Sequence, residues 1–318
     1  MAQGASGAGK TTLLNALAKQ LSTGVVTGDI LLDGQSLTLG FERNCGYVRQ
    51  QDLHVETTTV REALQFSALL RQPRNVSKEE KFHFVENIIN ALNMYDFADA
   101  VVGVPGRGLN TRQRKLLSIG VELAAKPSVL LFLDEPTTGL DSQSAYSVIT
   151  FLRLLANAGM SILCTIHQPS AVIFQQFDRL LLLTKGGRTA YFGDIGKHSQ
   201  TLIQYLERNG ARKYNSKENP AEYMIEVTSE SSDDWPNIWQ FSTEAEKCTE
   251  QLNHLKLHVQ EASEEVKPLD NSEGAEYREY ALPFYQQLYY VSFRVFQQYW
   301  RSPEYIWAKI LLACVSSL

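Results

Sequence analysis

Apolar residues fall along this chain in two rhythms. Short unbroken runs, Val129-Leu130-Leu131-Phe132-Leu133 and Ile162-Leu163-Cys164, are the first. A run of that length predicts a strand buried on both faces, as in a parallel sheet. The second rhythm is an apolar residue every three or four positions, the helical period. Leu13, Leu14, Ala16 and Leu17 start one helix, and Val60, Ala63, Leu64, Phe66 and Leu70 predict another over residues 59–70. Residues 84–92 repeat the pattern, and a helix over 199–209 should stop at Gly210. Residues 28–34 read as a strand ending in a turn. A hairpin-like turn at Lys185-Gly186-Gly187 leads into a strand through Phe192. Strands interleaved with helices predict the α/β class.

The 318 residues, 44% of them hydrophobic, suffice for one large domain or two modest ones. The net charge of −5, with no basic block, argues against a nucleic-acid partner. Four scattered cysteines (Cys45, Cys164, Cys248, Cys314) make no metal spacing and predict a reduced setting. Residues 229–234 are polar, and residues 261–279 are acidic and poor in aliphatics, which predicts linker or marginal helix over 229–283. Residues 284–300 are dense in aromatics around Arg294, and Arg301 follows, a composition suited to a membrane–water interface. Residues 306–318 are mostly apolar but fewer than the about 20 that span a bilayer. They read as the start of a truncated transmembrane helix or as a helix docked on the core.

The chemistry begins at the first residues. Gly4-Ala5-Ser6-Gly7-Ala8-Gly9-Lys10-Thr11 fits the phosphate-binding pattern G-x-x-x-x-G-K-[ST] at every position, and Thr12 follows. Glycines let backbone N–H groups curl around phosphate oxygens, Lys10 brings a point charge, and Thr11 a hydroxyl for Mg²⁺. A strand normally precedes such a loop. Only Met1-Ala2-Gln3 stand before Gly4, so that strand is expected to be missing or cut short and the chain to be a fragment. The run at 129–133 ends in Asp134 and Glu135. Ligands of parallel sheets bind at carboxyl ends of strands, which puts Asp134 beside the Mg²⁺ shell and Glu135 beside the attacking water.

Together these residues carry a resemblance. Asp134-Glu135-Pro136-Thr137-Thr138-Gly139-Leu140-Asp141 resembles the Walker B and D-loop of ABC-type ATPases. Gln50 matches the Q-loop glutamine, with Gln51 as the alternative register, and His167 in Thr165-Ile166-His167-Gln168-Pro169 matches the switch histidine. The resemblance implies a P-loop NTPase fold, with a RecA-like parallel sheet core, a helical subdomain at about 57–125, a partial antiparallel β subdomain and a C-terminal helical segment. It implies ATP and Mg²⁺ as cofactors. Gly4, Ser6, Gly7, Gly9, Lys10, Thr11, Thr12 and Asp141 would hold nucleotide, and Thr11, Gln50 and Asp134 the metal. Glu135, His167 and Gln50 would serve hydrolysis.

The family's signature, L-S-G-G-Q at the start of a helix, corresponds here to Leu109-Asn110-Thr111-Arg112-Gln113. Only the outer Leu and Gln are kept. In the family this motif closes over the nucleotide of a partner domain, so the resemblance implies asymmetry, with an intact signature on the partner. Gly120-Val121-Glu122-Leu123, His167-Gln168-Pro169-Ser170, residues 177–193, Asn219-Pro220-Ala221-Glu222-Tyr223-Met224 and Tyr299-Trp300-Arg301-Ser302-Pro303 are similar to the G subfamily. The Leu-Asn-x-x-Gln signature is similar to the second nucleotide-binding domain of fungal pleiotropic drug resistance transporters. A membrane exporter of drugs or lipids follows, partnered by a second nucleotide domain and transmembrane domains. It would sit in the plasma membrane with residues 1–228 on the cytoplasmic side. The alternatives are a soluble ABC ATPase and an inactive transporter fragment.

Overall fold

The structure is a computed structural model. It describes every residue except 22, 33, 231–233, 266–279 and 317–318, with the backbone alone at 230 and 257–265. The chain divides into two units, Met1–Gln50 with Val129–Tyr277 and Gln51–Ser128 with Arg278–Leu318. Elements are numbered in chain order.

The first unit is built on a sheet. Its early part runs β1 (Ala2–Gly4), α1 (Lys10–Leu17), β2 (Leu31–Leu32), β3 (Gln35–Ser36), α2 (Phe41–Asn44) and β4 (Cys45–Val48). The strand before the phosphate loop is therefore present, though only three residues long. It lies inside the sheet, parallel to both neighbours. The predicted strand over 28–34 is a two-residue, exposed hairpin, β2 with β3.

The second unit supplies β5 (Gly103–Val104), β6 (Arg107–Gly108) and the helices α3 (Val60–Arg71), α4 (Lys78–Ala91) and α5 (Thr111–Ala124). Each of these helices starts with a reciprocal capping box: Thr59 with Glu62, Ser77 with Glu80, Asn110 with Gln113. Such a pair satisfies two of the backbone donors that a helix start leaves open. Val60, Leu64, Ala68, Val85, Ile89, Met94, Leu117 and Ile119 form its buried interior.

The chain then returns to the first unit through β7 (Leu130–Asp134), α6 (Ser142–Asn157), β8 (Ser161–Thr165), α7 (Ala171–Phe174), β9 (Arg179–Leu183) and β10 (Thr189–Asp194). The sheet order is β10-β9-β1-β8-β7-β4, with β10 antiparallel and the rest parallel. Leu14 and Ala18 of the α1 segment pack on Phe41, Cys45 and Phe132 beneath it. Helices α8 (Gln200–Arg208), α9 (Pro220–Glu230), α10 (Trp235–Gln240) and α11 (Thr243–Glu265) follow.

The segment expected as linker or marginal helix over 229–283 is largely helical where it is described. Trp235 and Trp239 stand one helical turn apart. Trp235 is 1% exposed and faces Tyr205, while Trp239 meets Tyr191 and Tyr205 edge-on. Two large aromatics anchor a segment that looks polar by composition. Residues 231–233 and 266–279 of that expectation lie outside the described residues.

Two helices close the chain in the second unit, α12 (Phe284–Trp300) and α13 (Pro303–Ser316). Arg301 makes a two-pronged ion pair with Glu62 of α3, at 2.6 and 2.7 Å, and the Arg294 guanidinium stacks 4.0 Å from the Phe66 ring centre. Among the described residues no helix is long and apolar enough to cross a membrane. Large aromatics of α12 and α13, among them Phe284, Tyr289, Phe296, Trp300 and Trp307, are exposed.

Candidate nucleotide site

Within the first unit, the carboxyl ends of β1, β7 and β8 carry the predicted groups. The loop after β1 is shaped by glycine at two places. A Cβ on Gly4 would lie 2.2 Å from the backbone oxygen of Leu183, so only glycine lets β1 approach β9 there. Gly9 has φ +86° and forms the N-cap of α1, where the chain turns from loop to helix. Ser6 and Gly7 are exposed at the loop's crest. Lys10 is 7% exposed, and its ammonium donates to the carbonyls of Gly4 at 2.9 Å and Ala5 at 3.1 Å. Its charge is thereby held inside the loop's curve. Thr11 and Thr12 are exposed on the first turn of α1.

Asp134 ends β7 and is 3% exposed. Its Oδ1 accepts from the Thr11 hydroxyl at 3.2 Å and from the Thr165 hydroxyl at 2.6 Å. Parallel register explains the second contact, since Asp134 and Thr165 are paired positions of β7 and β8. Thr165 also accepts from the Glu135 amide at 2.9 Å. Glu135 itself has φ +48°, a left-handed conformation that costs energy in any residue other than glycine. Its carboxylate leaves the sheet and accepts from Gln50 Nε2 and from the Thr138 hydroxyl, each at 2.9 Å. Gln50 rather than Gln51 thus meets Glu135.

His167 is exposed two residues past β8. Asp141 caps α6 by accepting from the Ser144 amide at 3.1 Å, and its hydrogen bonds to Ser144 hold its carboxyl below the usual range. The site collects hydroxyl and carboxylate oxygens at Thr11 and Asp134. Such hard oxygen donors beside a phosphate loop fit Mg²⁺.

The signature segment belongs to the second unit. Leu109 is buried, Asn110 caps α5, and Thr111 and Arg112 are exposed in its first turn. Asn110 Oδ1 accepts from the Gln113 amide and Gln113 Oε1 from the Asn110 amide, both at 2.9 Å. Asn and Gln thus close a cap on each other.

Sequence reasoning missed two features. Thr165 carried no motif of its own, although its place two residues before His167 and in register with Asp134 could have marked it. In the second unit a cluster of polar groups around buried Lys115 follows Gln50 in sequence. Lys115, 1% exposed, pairs with Asp52 at 3.0 Å, and the Ser118 hydroxyl donates to Asp52 at 2.6 Å and lies 2.9 Å from His54 Nε2. Burial lowers the His54 pKa and favours the neutral ring.

Comparisons with known proteins agree with this geometry. A family model described as ABC transporter matches residues 3–138, and one described as ABC-2 type transporter matches residues 167–230. The chain is 57% identical over 99% of its length to the ABC multidrug transporter MDR1 of Trichophyton equinum, covering 20% of that protein. It is 56% identical, over the same share of its length, to the ABC multidrug transporter atrI of Aspergillus fumigatus, covering 22% of it. The chain thus spans about a fifth of the length of these relatives. Among solved structures, cbiO1 of Clostridium perfringens, part of the ABC transporter complex cbiONQ, shares the fold. The TM-score is 0.53 at 20% identity, over 66% of this chain and 82% of that one.

Proposed function

As the chain belongs to the ABC transporter family, we propose that it is the ATP-binding and hydrolysing motor of a multidrug-type membrane exporter. The observation that carries this reading is the convergence at the carboxyl edge of the sheet. There Thr11, Asp134 and Thr165 form one hydrogen-bonded set, and Gln50, Glu135 and Thr138 form a second. The first set is a cation-side pole and the second a water-side pole.

In this reading the amides of the Gly4–Lys10 loop and the Lys10 ammonium bind the β- and γ-phosphates. Thr11 and Asp134 would hold Mg²⁺, which would supply positive charge against the phosphate oxygens. Glu135 orients the attacking water and takes up its proton. Gln50 releases Glu135 to do so when nucleotide arrives. His167 donates to the γ-phosphate and fixes the line of attack. Asp141 caps α6 beside the nucleotide.

Turnover needs a second nucleotide domain. Thr111 and Arg112, exposed in the first turn of α5, add side chains where the glycines of an L-S-G-G-Q motif would let a phosphate approach. The site completed by this chain's signature is therefore weakly hydrolytic, while the partner supplies an intact signature to the Walker residues here. Transmembrane domains of the same transporter are the other partners. Helix α12, pinned to α3 through Arg301 and Glu62, leads toward a plasma membrane that it approaches from the cytoplasmic side.

The test uses the full transporter. Glu135→Gln should keep Mg-ATP binding and lose turnover, whereas Lys10→Met should lose binding by at least about tenfold, one charge-assisted contact's worth. Wild-type hydrolysis in Glu135→Gln would refute the assignment.

A further inference from the structure

Asn219-Pro220-Ala221-Glu222-Tyr223-Met224 has no part in the chemistry above, yet it touches the loop that carries His167. Asn219 Nδ2 donates to the Pro169 carbonyl at 2.8 Å, across 50 residues of sequence. We propose that Asn219 is the positioning residue of the His167 loop, an inference that rests on the hydrolytic role just given to this site.

The His167 ring is exposed, and among the described residues no group hydrogen-bonds it. Its direction is therefore set by the backbone. On the near side, Ile166 is 1% exposed and fixed in the core. On the far side, Gln168 has φ +45°, a left-handed conformation unfavourable for a residue with a side chain. A strained residue persists only where its surroundings over-determine it. Pro169 is buried and has no amide proton, so its carbonyl is the peptide group through which the loop can be gripped. Asn219 takes that carbonyl.

Asn219 is itself held firmly. Its Oδ1 accepts from the Ala221 amide at 3.1 Å, a helix N-cap with Pro220 at the first helical position. Ala221, Tyr223 and Met224 are each at most 1% exposed and seat α9 in the first unit. The segment before it is tied down by Arg212, which bridges Glu218 and Glu226 through four hydrogen bonds of 2.7–3.1 Å. A single amide thus joins a rigid helix start to a strained loop: its oxygen caps Ala221, and its nitrogen donates to Pro169 and, at 3.4 Å, to Glu222.

The two ends can be separated. Asn219→Asp keeps the oxygen that caps Ala221 but puts a second oxygen against the Pro169 carbonyl. Asn219→Ser keeps a capping hydroxyl too short to reach Pro169. The first measurement is the carbon-13 spectrum of the histidine rings in the full chain, which has six histidines. In both variants the His167 resonance should shift or broaden while the other five stay in place. An unmoved His167 resonance in both folded variants overturns the proposal, and this readout does not depend on hydrolysis.

The second measurement is ATP hydrolysis by the full transporter. Asn219→Asp should lower kcat by about tenfold to a hundredfold, the effect of misplacing a reacting group by around 1 Å, with KM for ATP within about twofold. Added to His167→Ala, it should cause no further loss, since two residues acting through one group are not additive. A multiplied loss in the double variant also overturns the proposal. Unchanged hydrolysis in His167→Ala would instead remove the hydrolytic role of His167, leaving the spectrum to decide the positioning.

Discussion

Replacing Thr165 by valine tests whether one buried hydroxyl holds both the Asp134 carboxylate and the Glu135 backbone amide. Thr165 is 0% exposed, donates to Asp134 at 2.6 Å and accepts from the Glu135 amide at 2.9 Å. Valine fills the same volume without either bond. Loss of a hydrogen bond to a charged group costs about 1.5–3 kcal/mol, and an unsatisfied buried N–H about 1–3 kcal/mol. Thr11 still donates to Asp134, so the lower part of the sum applies. Thr165→Val should therefore destabilise the first unit by roughly 3 kcal/mol. Thr165→Ser keeps both bonds and removes one buried methyl, for about 1 kcal/mol. Urea unfolding of the chain, followed by tryptophan fluorescence, gives the order wild type, serine, valine. Valine as stable as serine would refute the reasoning, because it would mean that the hydroxyl carries no net free energy.

Three further outcomes follow from contacts described above. Gly4→Ala places a Cβ 2.2 Å from the Leu183 oxygen, a backbone atom that cannot swing away. It should cost at least about 3 kcal/mol, the upper end for overpacking, and abolish Mg-ATP binding by calorimetry. Lys115→Met removes the ammonium partner of half-buried Asp52, to which the Ser118 hydroxyl still donates, and should cost about 1–3 kcal/mol in chemical denaturation, part of it recovered by adding Asp52→Leu. Arg301 hydrogen bonds hold the Glu62 carboxyl below its ordinary range. The stabilisation is thus complete above the unfolded value of about 4.3 and disappears as pH falls through the lower folded one. Glu62→Gln, which preserves the capping box with Thr59, should lose about 0.5–1 kcal/mol at pH 7 in thermal unfolding, and the difference from wild type should shrink as the pH is lowered below about 4.3.

Much of the fold is readable because it rests on local pattern. The run at 129–133 has no polar break, and it forms β7 one residue out of step with the expectation. Helix α3 begins within one residue of its prediction because Val60 opens both the apolar period and the helix. Helix α4 begins six residues earlier than its apolar residues suggest. Its first turn, Lys78-Glu79-Glu80-Lys81, shows no period, and Ser77 with Glu80 was the available signal. Strand β1 owes its form to its neighbours β8 and β9, which no local window contains. Trp235 and Trp239 sit among polar residues, so composition hides the core they build. At the site, motif residues are legible because their chemistry fixes their spacing. Thr165 and Asn219 are not, since each acts on a partner 31 or 50 residues away.

The place of β1 in the sheet also sets an order of assembly. Ala2 pairs with Thr165 on one side, and Ala2, Gln3 and Gly4 pair with Leu181, Leu182 and Leu183 on the other. During synthesis at about 5–20 residues per second, the phosphate loop emerges roughly ten to thirty seconds before the strands that receive it. Until β9 is made, the loop has neither the sheet to present it nor the Leu183 carbonyl against which Gly4 is packed. A nascent chain that already holds both Lys10 and Asp134 is thus still blind to ATP. Nucleotide can act as a folding ligand only on chains long enough to have closed the sheet, which makes binding a built-in mark of a finished domain.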